Sequence, residues 1–135
     1  MTRRTRLRYV LAAAMVAVGA LHFATPGWFV SIVPAWLPAP RALVLVSGFF
    51  EVLGGVGLLV ARVRRAASIG LVALYVAVFP ANVNMLVDPR ASHGIAAWLL
   101  WARLPLQVVF IAWALYAGRD PAARSSSHAS TTPNV

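Results

Sequence analysis

Four long apolar runs, broken by short polar or proline-rich stretches, make up most of this chain. They extend from about Arg8 to Thr25, Ala42 to Ala61, Ala66 to Val87 and Ile95 to Ala117. A helix rising 1.5 Å per residue needs about 20 residues to cross a hydrocarbon core of ~30 Å, and each run is of that length. Leu, Ala and Val predominate, without the alternation of a barrel strand, so the pattern predicts helices. Between the first two runs, residues 26–40 carry Pro26, Pro34, Pro38 and Pro40 together with Trp28, Phe29 and Trp36. Proline excludes a long helix there, and tryptophan favours the headgroup zone. This external loop reads either as an aromatic belt at the interface or as a flap over a lateral opening. Residues 118–135, with Ser125, Ser126 and Ser127, are too polar to fold, so a disordered cytoplasmic tail is expected. The predicted architecture is all-α: an integral membrane four-helix bundle over residues 1–117, followed by that tail.

Composition supports the bilayer as solvent. Hydrophobic residues make up 61% of the 135 and charged residues only 11%, too few for a wetted globular surface. The net charge of +9 does not point to nucleic acid, because the arginines flank the apolar runs instead of lining one face. Arg3, Arg4, Arg6 and Arg8 precede the first run, Arg62, Arg64 and Arg65 join the second to the third, and Arg119 and Arg124 follow the fourth. The opposite side carries Arg41 and Arg90, partly offset by Asp88. The positive-inside rule then places both termini in the cytoplasm. The first run resembles a signal peptide in its basic start, but it ends in Leu21-His22-Phe23-Ala24-Thr25-Pro26 without a small-x-small cleavage site, so it is expected to be retained. All 12 basic residues are Arg, which removes lysine Schiff-base chemistry and fits a GC-rich bacterial genome. The expected location is the bacterial inner membrane. Without cysteine, the chain has no disulfide, thiol redox chemistry, cysteine-ligated iron–sulfur cluster or covalent c-type haem, and no covalently bound cofactor is expected.

Against this apolar background, Glu51 and Arg103 are conspicuous. An ionisable group at mid-membrane costs about 2.5–3.5 kcal/mol on insertion scales and calls for a partner. Both runs descend from the outer side, placing Glu51 ~14 Å and Arg103 ~12 Å below their outer ends. At nearly equal depth, the two are expected to pair, directly or through one polar intermediary. His22, Asn82, Asn84 and Gln107 fall in the same half of the membrane. Asn82 and Asn84 lie about 200° apart on a helix, so both face one point only if Pro80 breaks it. Pro80 and Pro105 each free a backbone carbonyl about one turn earlier, near Val76 and Trp101. Ser47, Gly48, Gly54 and Gly55 border Glu51, which suits either close helix packing or a small cavity. His22 reads as a polar cap; a haem held between His22 and His93 has no other support, and no metal-ligand cluster is evident.

In the order and spacing of its fragments the sequence resembles the DoxX-like family of small bacterial membrane proteins. The fragments are Gly19-Ala-Leu-His22-Phe23 with Pro26, Val33-Pro34-Ala-Trp36-Leu37-Pro38, Ser47-Gly48-Phe-Phe-Glu51 through Leu59, Phe79-Pro80-Ala-Asn82-Val-Asn84-Met85 and Arg103-Leu-Pro105-Leu-Gln107. The resemblance spans about residues 8–117 and implies a four-helix membrane fold, contact with a quinone and a redox enzyme as partner. Three functions follow as expectations. The first is a redox-accessory subunit, not an enzyme on its own, that binds a quinone or lipid-like ligand through Glu51, Arg103, Asn82, Asn84, His22 and Gln107. The second is a structural scaffold whose ion pair fixes helix register for a partner enzyme. The third is a homo-oligomeric, proton-coupled transporter using Glu51.

Overall fold

The computed structural model describes residues 1–119, and the expected tail from 120 onward lies outside them. The described chain is entirely helical: α1 Arg3–Ala24, α2 Pro26–Ile32, α3 Pro40–Leu59, α4 Arg64–Val87 and α5 Ala97–Ala117. The four helices other than α2 are long and apolar enough to cross a membrane. Many of their large apolar side chains point outward, Val76 and Val108 being more than three-fifths exposed. A hydrocarbon surround accounts for such a surface where water would not.

The expected bundle gains a fifth, short helix, because proline was weighed above only as a helix breaker. Pro26 is the first residue of α2, where its fixed φ suits the helix and its missing N–H would have no intrahelical acceptor. Pro40 opens α3 in the same way. Pro80 and Pro105 are carried inside α4 and α5 without ending them. At the other end of α1, Thr2 caps the helix by accepting from the Thr5 amide at 3.2 Å.

The long helices pack side by side in the cyclic order α1, α3, α4, α5 and back to α1. Contacts run in opposite directions along each neighbouring pair, so neighbours are antiparallel. Gly19 meets Gly48 and Ala12 meets Gly55 between α1 and α3; Gly54 meets Leu71 and Gly57 meets Ala67 between α3 and α4. A Cβ on Gly48 would sit 2.5 Å from the His22 Cβ, and one on Gly55 would sit 2.9 Å from the Ala12 carbonyl oxygen. Only glycine permits this approach, the packing that stabilises helix pairs where hydrophobic expulsion from water is absent. One consequence decides the site: α3 and α5 lie across the diagonal of the bundle.

Two packed layers close the bundle. At the end where α1 begins and α5 finishes, Leu11, Met15, Leu58, Leu71, Tyr75 and Ala114 form a solid core. Arg8 seals this end by donating from Nε to the Ala117 carbonyl at 2.9 Å and from Nη2 to Arg119 at 3.2 Å, satisfying carbonyls beyond the reach of helical N–H groups. Arg64 does the same for the Leu58 carbonyl of α3 at 3.0 Å. These two arginines, assigned above only to membrane orientation, also terminate helices. At the opposite end, Ile32, Met85, Ala91 and Leu100 form a second cluster beneath α2. A cavity separates the two layers.

Candidate functional site

The cavity measures about 510 Å³ and is lined by all five helices. That volume lies within the ~300–1,000 Å³ range of small-molecule sites. Its wall is mainly apolar, with Val18 from α1, Phe29 and Ile32 from α2, Val44 from α3 and Leu106 and Phe110 from α5. Ser47, Glu51, His22, Tyr75, Asn82, Arg103 and Gln107 supply polar groups. The equal depth expected for Glu51 and Arg103 is reflected in their lining one cavity.

They do not pair. Among the described residues Glu51 lies nearest to His22, at 3.2 Å from Nδ1 to Oε2, and Arg103 hydrogen-bonds to Asn82. Among the described residues no side chain hydrogen-bonds to both. Equal depth was a necessary condition for pairing and not a sufficient one, since their helices face each other across the diagonal with the cavity between them. The His22 contact is a close approach and not a hydrogen bond. Nδ1 donates to the Val18 carbonyl at 2.9 Å, a partner that can only accept, and Glu51 Oε2 lies off that line. Oε2 is fully buried and has no hydrogen-bond partner among the described residues. Stacking on Phe29, with ring centroids 3.8 Å apart and planes at 21°, holds the imidazole in place. His22 is therefore more than the polar cap read from its position, because it faces the membrane carboxylate.

On the far wall a directed chain of hydrogen bonds fixes the guanidinium. Arg103 Nη2 donates to Asn82 Oδ1 at 3.0 Å, Asn82 Nδ2 donates to Gln107 Oε1 at 2.9 Å, and Gln107 Nε2 donates to the Tyr75 carbonyl. Both side-chain amides are thereby oriented, each using its oxygen as acceptor and its nitrogen as donor. The accepting carbonyl is one residue before the Val76 position that Pro80 releases. Arg103 and Gln107, four apart, meet Asn82 from one face of α5, as expected of a single helical turn. Among the described residues Arg103 has no protein hydrogen-bond partner but Asn82, so its other donors remain for a ligand.

Asn84 takes no part. Its Nδ2 donates to the Ile32 carbonyl at 3.0 Å, tying the C-terminal end of α2 to α4. The 200° separation of the two asparagines is thus resolved without a break at Pro80: Asn82 faces the cavity and Asn84 holds its cover. That cover is anchored again at the turn before α5. His93 adopts φ 50° and is followed by Gly94 at φ 71°, two successive left-handed residues. His93 Nε2 lies 2.6 Å from Ser31 Oγ, and its ring stacks on Trp28 with centroids 5.6 Å apart. Trp28 and Phe29 are therefore parts of a folded cover, whereas Trp36 projects outward, 73% exposed.

The small residues beside Glu51 divide between the two uses foreseen for them. Gly48, Gly54 and Gly55 are filled by neighbouring helices, while Ser47 lines the cavity. Tyr75 was missed by the sequence reading. Its hydroxyl donates to Met15 Sδ at 2.9 Å, and its place on the wall was signalled by a spacing of seven from Asn82, two turns along one face. Among the described residues no three His, Asp or Glu side chains converge on a metal-sized point. The site instead offers a fixed guanidinium, a buried carboxylate oxygen with no hydrogen-bond donor among the described residues and an apolar wall, the elements for holding a polar head attached to an apolar body.

A family model described as Domain of unknown function (DUF8561) matches residues 11–117. The chain belongs to that family. The match takes in every polar residue of the cavity and all of α2 to α5, and begins after the arginines of the first turns of α1. No curated protein and no solved structure matches the chain.

Proposed function

We propose that this chain is a multi-pass membrane protein, with both termini in the cytoplasm, that holds an amphiphilic ligand in the cavity between its two packed layers. The observation that carries this reading is the presence of two oppositely charged residue types on facing walls of one cavity that leave each other unpaired. A protein that used them only to fasten helices would have them in contact, because an unpaired charge in the membrane is costly. Arg103 is held ready by the Asn82–Gln107 chain, and the cover formed by α2 keeps the head of the ligand from water. The orientation rests on the distribution of arginines and the positive-inside rule.

The resemblance to the DoxX-like family adds a role as accessory subunit to a redox enzyme, with a quinone as one occupant. A quinone carbonyl would accept from Arg103, and Glu51 with His22 would supply or receive a proton. The scaffold reading needs an ion pair that sets register, and the separation of Glu51 from Arg103 removes its motive.

The test is equilibrium binding to the full purified chain of a panel of amphiphiles, decylubiquinone among them, in wild type and in Arg103→Gln. Saturable binding of at least one, weakened roughly tenfold or more by the substitution, is the expected result. Absence of saturable binding across the panel would refute the proposal.

A further inference from the structure

An apolar ligand with a single polar group leaves half of this cavity unsatisfied. Among the described residues Arg103 has no acceptor but Asn82, and the buried Glu51 Oε2 has no donor. An anionic head suits the first and repels the second. A quinone carries acceptors at both ends of its ring, so a carbonyl bound to Arg103 leaves another acceptor to face a region that already contains an undonated carboxylate. A head bearing an anion and an ammonium a few bonds apart satisfies both walls at once.

Resting on the ligand-binding reading above, we infer that the cavity takes a zwitterionic head with a primary ammonium, of the phosphoethanolamine type. The phosphate accepts from the Arg103 guanidinium and the ammonium donates to Glu51, with Ser47 beside it on the same helix face. A primary ammonium has N–H groups for the undonated carboxylate, whereas a quaternary ammonium carries charge without a donor. The apolar wall of Val18, Ile32, Leu106 and Phe110 receives the carbons next to the head. The same chemistry comes either from a phospholipid, whose acyl chains would then extend into the surrounding hydrocarbon, or from a free zwitterion.

The experiment is competition binding to the delipidated full chain in detergent, read by native mass spectrometry. The probes are dioleoyl phosphatidylethanolamine, its N-monomethyl derivative, phosphatidylcholine, phosphatidylglycerol, free phosphoethanolamine and decylubiquinone. Phosphatidylethanolamine is expected to outcompete phosphatidylcholine and phosphatidylglycerol about tenfold, the scale of one charge-assisted hydrogen bond, with the monomethyl lipid no weaker than phosphatidylcholine. Glu51→Gln should erase that preference, and Arg103→Gln should weaken every phosphate-bearing probe. Free phosphoethanolamine binding as tightly as the lipid would identify a soluble zwitterion as the source, with the head chemistry unchanged. Equal binding of the three phospholipids, or binding of decylubiquinone alone, overturns the inference and leaves the ligand-binding reading intact. No saturable binding of any probe overturns both. Because the headgroup series runs on wild-type protein, it decides the matter even if Glu51→Gln does not fold.

Discussion

At the scale of single residues, the polar groups of this chain are distinguished by what lies opposite them. Asn82 and Asn84 are the same residue type two positions apart, yet one orients a guanidinium and the other ties down a helix end. Asn82→Leu should leave Arg103 without its acceptor and Gln107 Oε1 without its donor, and cost about 1–3 kcal/mol, the penalty for an unsatisfied buried polar group. The measurement is a lowered thermal midpoint in detergent, together with weaker ligand binding. Glycine makes a similar distinction. Gly48→Ala puts a methyl group 2.5 Å from the His22 Cβ and 2.9 Å from the Gly19 carbonyl oxygen, so α1 and α3 must part. The expected loss is about 1–3 kcal/mol, the usual cost of overpacking. Gly70→Ala, at a position with open space, should be neutral or slightly stabilising in the same assay, since alanine is the better helix former. The sequence marked Gly48 as a packing or cavity residue but did not decide between the two, because the choice depends on which helix lies across from it.

At the scale of elements, α2 is the piece whose behaviour is most open to test. It has only seven residues, too few to hold a helix by itself, so its persistence depends on what it touches. Those contacts are Asn84 to the Ile32 carbonyl, His93 against Ser31 and Trp28, and Phe29 on His22. Asn84→Ala should free one end of the cover. Hydrogen exchange across residues 26–32 is then expected to accelerate while the glycine-packed stretch from 54 to 71 keeps its protection. Equal acceleration in both regions would mean that Asn84 supports the whole bundle instead. The proline-rich composition of 26–40 was legible as a break between long helices. The short helix inside it was not, because its stability comes from α4 and the turn before α5, which lie more than 50 residues away in sequence.

At the scale of the whole molecule, the arginines and the missing cysteines together make orientation measurable. Because the natural chain has no cysteine, single cysteines report their own side without background. Thr2→Cys, beside the N-terminal arginines, should be protected from a membrane-impermeant maleimide in intact cells, and Trp36→Cys, exposed in the loop after α2, should be labelled. The reverse pattern would invert the proposed topology and put the cavity in the other leaflet.

The number and extent of the long helices were legible in the sequence, because each apolar run needs only its own length to be recognised. Observed boundaries lie within about two residues of the expected ones, apart from the earlier start of α1. The depth of Glu51 and Arg103 was equally legible, since depth along a helix is counted in residues at a constant rise. Tertiary structure alone decided who meets whom. Placing α3 and α5 on a diagonal follows from the glycine contacts of α1 with α3 and of α3 with α4, and that placement turned an expected ion pair into two separate charges facing a cavity. Position along a helix is a one-dimensional property that sequence carries directly. Position around a bundle is set by all the helices at once, and it determined that this chain has a pocket where a pair was expected.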